Sequence, residues 1–301
     1  MEFSWFYAAI LSSLIYTIIT LGDKWLISWL KLPLPNFFLF VGIVQFITSI
    51  LIFIIFGIPE LIFYNIFFSY LGGFMWGIAL MLMFKVLRHE EAGRVTPIWQ
   101  TSPIFAAIAG MIFLNENIDK NLWVAIFLVV CGAFLISSNT SYIRKISFNK
   151  KLLIVLLGAV IIGFAQVSLK VGSENLSVTH NLAVRALGLT TSIGLPFAKF
   201  NKIKELSTFI FSNKKAMPIF LIEGIFPLLG NLCVLYALAN GPVSLVSPLL
   251  GTRPIFLIGI ILILGPLSKK YLNEKLERSQ VSIKVISTLL VVSGVVIISS
   301  Q

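Results

Sequence analysis

Long apolar runs separated by short polar connections fill the chain, and each run has about the length of a membrane-crossing helix, about 20 residues. Hydropathy and turn signals place ten spans, at about 4–22, 37–56, 66–87, 93–113, 122–138, 152–172, 181–198, 217–238, 243–266 and 281–299. Strands of alternating polarity are absent, so a β-barrel is excluded. In lipid every backbone polar group must find its partner within its own element, which leaves helices. Span 1 carries Ser13, Tyr16, Thr17, Thr20, Asp23 and Lys24 at spacings of three and four, a polar stripe that faces other helices or a cavity. Span 6 repeats the stripe more weakly, with Gln166, Lys170 and Ser173. Gln45 in span 2 and Arg185 in span 7 read as side chains reaching a headgroup or a neighbouring carbonyl. In span 3, Gly73 and Gly77 form the small-xxx-small pattern of closely approaching helices. Spans 5 and 10 are almost wholly aliphatic, as suits peripheral scaffold helices. The connection between Lys199 and Lys215 is the longest polar one.

One stretch occurs twice. Pro97-Ile98-Trp99-Gln100-Thr101-Ser102-Pro103-Ile104-Phe105 returns in the second half as Pro248-Leu249-Leu250-Gly251-Thr252-Arg253-Pro254-Ile255-Phe256, keeping both prolines, the threonine and the Ile-Phe ending. Each copy is followed by the same tail, Leu114-Asn115-Glu116 and Leu272-Asn273-Glu274, and by a further apolar segment ending in Ile136-Ser137-Ser138 or Ile298-Ser299-Ser300. The unit therefore comprises five spans, 1–145 and then 146–301. An odd number of spans returns the chain on the opposite side of the membrane, so the two repeats are inverted, a plan shared by secondary transporters whose solute sits where the halves meet. Within each copy, proline removes a hydrogen bond and frees the carbonyl four residues earlier. Pro97 and Pro103 free those of Gly93 and Trp99, and Pro248 and Pro254 free those of Ser244 and Leu250, with the hydroxyls of Thr101 and Thr252 nearby. All four prolines are expected to act as hinges.

These residues carry a family resemblance. With Pro97, Ser102-Pro103-Ile104-Phe105, Phe113-Leu114-Asn115-Glu116, and their counterparts Pro248, Pro254-Ile255-Phe256 and Leu272-Asn273-Glu274, the chain resembles a ten-helix transporter of the EamA type in the drug/metabolite transporter superfamily. The resemblance implies proton-coupled or facilitated movement of small metabolites, often export of amino acids, through a cavity lined mainly by helices 1, 3, 4, 6, 8 and 9. It leaves the solute open, because the shared motif is structural.

Composition agrees with the class. Of 301 residues 58% are hydrophobic and only 12% charged, with a mean hydropathy of +0.99, far from the charged quarter of a soluble domain. The net charge of +11 sits in short connections, where Lys and Arg set orientation and touch lipid headgroups, so no nucleic-acid partner is expected. Almost all of it lies in connections 1–2, 3–4, 5–6, 7–8 and 9–10. The opposite side holds only Lys120, Lys170 and Arg185, which places both termini outside the cell membrane. Cys131 and Cys233 read as buried apolar side chains, and the N-terminal span, with Glu2 and no small-residue cleavage site, reads as retained.

Candidate chemistry comes from charges that break the repeat. Glu223 stands where the first copy has Gly72, and Arg253 where it has Ser102. A charge inside a span faces the bundle interior and seeks a partner. Glu223 shares a face with Pro227 and Asn231, while the registers of spans 8 and 9 leave roughly 10 Å of depth between it and Arg253. Tyr16, Trp76, Gln100, Thr101, Glu223, Asn231, Thr252 and Arg253 are therefore the expected substrate-binding residues. Arg253 would take a carboxylate or phosphate, and Glu223 a cationic group or a coupling proton. The expected cargo is a small polar metabolite such as an amino acid or similar zwitterion. The alternative is an organic cation or drug held on Glu223, as in the related small multidrug resistance proteins. No catalytic residues, metal or cofactor are expected: His89 and His180 lack partners at ligand spacing, and no phosphate loop ends in Gly-Lys-Ser/Thr. Oligomeric state has no sequence signal.

Overall fold

The computed structural model describes residues 4–60, 62–90, 92–137, 150–212, 217–264 and 278–300, and every element among them is helical. Helix α1 (Trp5–Lys24) begins where the Ser4 hydroxyl accepts the Phe6 N–H and runs on into a π-helical turn over Trp25–Trp29. Then follow α2 (Leu34–Phe56), closed by Gly57 at φ 79°, and α3 (Phe63–Leu87). The fourth apolar segment is two helices, α4 (Ala92–Trp99) and α5 (Ser102–Leu114), and it is followed by α6 (Lys120–Ser137). The second half opens with α7 (Lys150–Gly172) and α8 (Val178–Leu189). Next come α9 (Phe200–Ser212), α10 (Met217–Asn240), the broken pair α11 (Val243–Leu250) and α12 (Arg253–Leu264), and α13 (Arg278–Ser299).

Eight helical runs among the described residues are long and apolar enough to cross a bilayer. Two expected spans look different. The segment 181–198 is α8 followed by a π turn at Thr190–Gly194 and a short 3-10 turn at Leu195–Phe197, where Pro196 ends regular hydrogen bonding. The last span lies within α13, of which Ile283–Ser299 is apolar. The polar connection after Lys199 is also corrected: it contains α9, held down by buried Leu206 and by Phe209 edge-on to Phe220 of α10. The tail Leu272-Asn273-Glu274 and Ser138 lie outside the described residues.

Polarity is arranged inside out. Ile47, Leu51 and Ile54 on α2, Leu221 and Ile225 on α10 and Val285 and Leu289 on α13 point outward, whereas Ser13, Gln45, Ser49, Gln166, Arg185, Glu223 and Asn231 are buried. That is the distribution a lipid solvent selects, because the interior is the place where polar groups can pair. The most extensive packing joins α1 to α10, α3 to α7 and α6 to α13. Small residues permit the closest of these approaches. Gly132 of α6 lies under Ser287 and Val291 of α13, while Gly294 of α13 lies under Ala125 and Val129 of α6. Gly73 of α3 sits against the Arg185 carbonyl and Gly77 against the Ser192 hydroxyl, so the small-xxx-small face is used against α8 and the turn that follows it.

Candidate functional site

The two proline breaks are built alike. Helix α4 ends at Trp99 and α5 restarts at Ser102-Pro103, and the Thr101 hydroxyl donates back to the Ile98 carbonyl at 2.6 Å. In the second copy α11 ends at Leu250 and α12 restarts at Arg253-Pro254, with the Thr252 hydroxyl donating to Leu249 at 2.7 Å. The polar face of α1 serves this second break. Ser13 donates to Leu250, the carbonyl that Pro254 frees, at 3.0 Å, and Thr17 donates to the Arg253 carbonyl at 3.2 Å. Thr252 also bonds Ser13 at 3.1 Å. Thr101 and Thr252, expected at the solute, are therefore engaged as repairs to broken helix ends.

Tyr16 is the centre of the buried polar cluster. Its hydroxyl donates to Asn231 Oδ1 on α10 and lies within electrostatic reach of the Arg185 guanidinium of α8. The Arg253 guanidinium lies on its ring face, 4.2 Å from the centroid. Arg185 in turn lies over Trp76 of α3 at 5.0 Å and is only 1% exposed. Helices α1, α3, α8, α10 and α12 thus each give one side chain. Four of these, Tyr16, Trp76, Asn231 and Arg253, belong to the set expected from sequence, and the structure brings them together. Arg185, expected to reach a headgroup or a neighbouring carbonyl, lies instead over an aromatic ring in the interior. The signal was available, since a lone charge in a span needs an interior partner, but its neighbours Trp76 and Tyr16 lie in the first half of the chain, far away in sequence.

Electrostatics make this cluster cationic. Two guanidiniums separated by one phenol ring, roughly 7 Å, repel by about 2 kcal/mol at an effective dielectric of 20. No carboxylate pairs with either among the described residues, and Arg185 Nε, Arg185 Nη1 and Arg253 Nε are buried donors without a protein acceptor. Buried donors of this kind are rare and call for an acceptor from elsewhere.

Glu223 does not belong to that cluster. It is 4% exposed, and its carboxyl group is in hydrogen-bond contact with that of Asp23 at the end of α1. Gly22 makes the room, since a Cβ there would collide with Glu223 Oε1. Along α10 Glu223 is eight residues from Asn231, and along α1 Asp23 is seven from Tyr16, so the pair lies about 10–12 Å from the tyrosine. Glu223 is thus buried beside half-buried Asp23, the acidic member of the polar stripe on span 1. Gln100 is buried at the first break, and the contacts that define the tyrosine cluster include neither it nor Thr101. At one rim of the bundle Glu116 accepts the Val243 and Ser244 N–H groups at 2.6 and 2.9 Å, capping α11, while Lys170 donates to the Ala239 and Gly241 carbonyls. No group of three metal-ligating side chains occurs among the described residues.

The EamA-like transporter family model matches the chain twice, over residues 3–138 and 149–300. A protein described as an uncharacterized transporter in the cobO 3′ region, from Sinorhizobium sp, is 30% identical over 67 residues, 22% of this chain and 48% of that protein. The chain therefore matches about half the length of that curated relative. A solved structure, titled only as the crystal structure of a protein, superposes with a TM-score of 0.68 at 12% identity, over 97% of this chain and 94% of the other. At that identity the likeness concerns the fold alone.

Proposed function

The chain belongs to the EamA-like transporter family and is a multi-pass membrane protein, and from that premise we propose a secondary transporter for a small polar metabolite bearing an acidic group, an amino acid or similar zwitterion. The single observation carrying this reading is the Arg185–Tyr16–Arg253 cluster, one buried and one half-buried cation with buried, unpartnered N–H groups at the junction of five helices. A carboxylate supplies what they lack: acceptor lone pairs matched to the guanidinium fork and a charge that cancels their repulsion. Trp76 and Asn231 bound the space. In this reading the chain works by alternating access of two inverted five-helix repeats, 1–145 and 146–301. Exchange of the halves sends the α1–α10 contact onto α7–α3 and α6–α13 onto itself, and these are the three most extensive contacts of the bundle. The prolines at both breaks supply the hinges. The organic-cation alternative is disfavoured by the same geometry, because the cluster is positive and Glu223 is already occupied by Asp23.

Fluorescence of Trp76 tests the cargo class, with L-leucine, L-glutamate and tetraethylammonium as probes in purified protein, followed by uptake into proteoliposomes. Saturable quenching by at least one amino acid, lost in Arg253→Gln, supports the reading. Response to the quaternary ammonium alone, undiminished in Arg253→Gln, overturns it.

A further inference from the structure

We infer that Asp23 and Glu223 form a proton-binding site that ties α1 to α10 and is separate from the site that takes the cargo. The inference rests on the transporter reading but not on the identity of the cargo. Ionised carboxylates only accept hydrogen bonds, so two carboxyl groups in contact need one proton between them. The site is built rather than incidental. Glu223 is 96% buried by its 4% exposure, its Oε1 has no donor among the described residues, and Gly22 clears the space in which the carboxyls meet.

Distance excludes the obvious competing occupant. An α-amino acid carries its ammonium and carboxylate on a single carbon, whereas this pair lies about 10–12 Å from Tyr16 along both helices. A cargo whose carboxylate is held by Arg185 and Arg253 therefore leaves the pair untouched. The surrounding charges are accounted for as follows. Lys24 follows Asp23 on α1. Helices α2 and α11 carry no charged residue. Arg253 of α12 and Arg185 of α8 are on Tyr16, His180 is on the Gly57 carbonyl, and Lys170 of α7 is on Ala239 and Gly241. Lys151 is paired with Glu90, with Lys150 beside it at the start of α7. On α9 Lys202 is paired with Glu205, near Lys204, and Cys233 and Tyr236 lie farther along α10.

The step is simple to balance. With the proton bound, the hydroxyl of one carboxyl donates to an oxygen of the other and the two helices are bridged. When the proton leaves for water, two carboxylates face each other and repel, so α1 and α10 part at this end. Both residues lie at the lysine-rich ends of their helices, which the charge distribution places on the cytoplasmic side. Deprotonation thus opens that side.

Infrared difference spectroscopy of the wild-type protein, titrated with acid and base and without cargo, reads the shared proton through the protonated-carboxyl C=O band. The expected result is a band that titrates, disappears in Glu223→Gln, and in Asp23→Asn is lost at lower pH because the neighbouring negative charge is gone. An unchanged band in Glu223→Gln, or an unmoved titration in Asp23→Asn, overturns the inference. A second arm measures L-leucine and L-glutamate uptake into proteoliposomes with and without a pH gradient. Glu223→Gln is expected to abolish the response to the gradient, and a response that follows sodium at fixed pH instead refutes the proton as the ligand. Should neither amino acid be carried, the cargo reading fails while the infrared arm still decides this one.

Discussion

Replacing Arg185 by methionine separates a binding role from a structural one by the sign of the stability change. Removing the guanidinium abolishes about 2 kcal/mol of repulsion from Arg253 across the Tyr16 ring and about 3 kcal/mol of cost for an arginine at membrane depth. Against this stand the polar contact with the Tyr16 hydroxyl, at most about 2 kcal/mol for a charged donor, and the contact over Trp76, about 1–2 kcal/mol. The balance is about +1 kcal/mol in favour of the variant, so the unliganded protein in detergent should melt at the wild-type temperature or slightly above it. Binding should move the other way. Loss of one partner of a desolvated charge pair costs about 3 kcal/mol, a fall of roughly 100-fold in affinity. Thermal unfolding followed by tryptophan fluorescence, with and without saturating amino acid, gives both numbers from one sample. A melting temperature several degrees lower, with ligand stabilisation intact, would falsify the assignment and make Arg185 a structural clamp.

Three further outcomes follow from the geometry. Pro103→Ala and Pro254→Ala restore the missing backbone donors and straighten the α4–α5 and α11–α12 segments, so uptake rate should fall more than affinity does, and an unchanged maximal rate means that the kinks are incidental. Glu116→Ala removes a two-pronged cap from α11 and should cost about 1–2 kcal/mol of stability, whereas Glu116→Gln, which keeps an acceptor oxygen for one of the two N–H groups, should cost less. Reporter fusions active only in the cytoplasm should be silent at Gln301 and active at residue 205, and the opposite result reverses the membrane orientation.

The membrane class, both broken spans and four members of the cluster were legible because each depends on local rules. Proline at fixed positions breaks a helix wherever it lies, and a polar stripe at helical spacing faces inward whatever it meets. What was not legible is pairing across the bundle. Asp23 and Glu223 are both visible as charges, but their contact depends on the register of α1 against α10, which Gly22 sets by admitting a carboxyl where any other residue has a Cβ. Likewise, the register arithmetic left Glu223 and Arg253 as distant potential partners, whereas each found a nearer one on α1, at Asp23 and Tyr16. Ser13 and Thr17 belong to the stripe expected to face other helices or a cavity, and they do the first, serving the carbonyls released by Pro254 and its break. Hydrogen-bond demand created in the second half of the chain is met from α1 in the first, and a reading of either half alone cannot show it. The helix α9 was missed for a related reason: its apolar face is only three residues wide, Leu206, Phe209 and Ile210, and gains meaning from the aromatic floor at Phe220.

If the cluster around Tyr16 is a cationic site awaiting an anion, a fixed anion placed inside it should replace the cargo. Asn231→Asp is the conservative way to do so. The two side chains are nearly isosteric, Oδ1 still accepts from the Tyr16 hydroxyl, and the new charge lies within one tyrosine of both guanidiniums. At roughly 6 Å and an effective dielectric of 20, each arginine gains about 3 kcal/mol of attraction, which exceeds the repulsion between them and offsets the cost of burying a carboxylate beside existing donors. The variant should therefore fold, melt at or above the wild-type temperature, and bind L-leucine or L-glutamate at least 100-fold more weakly, because the cargo's carboxylate now meets a neutralised site. Asn231→Leu, which removes the polar partner without adding charge, should lose stability from the unpaired Tyr16 hydroxyl yet retain more of the anion affinity. Carboxylate binding that survives Asn231→Asp unchanged would show that the cargo's acidic group is held somewhere other than between Arg185 and Arg253.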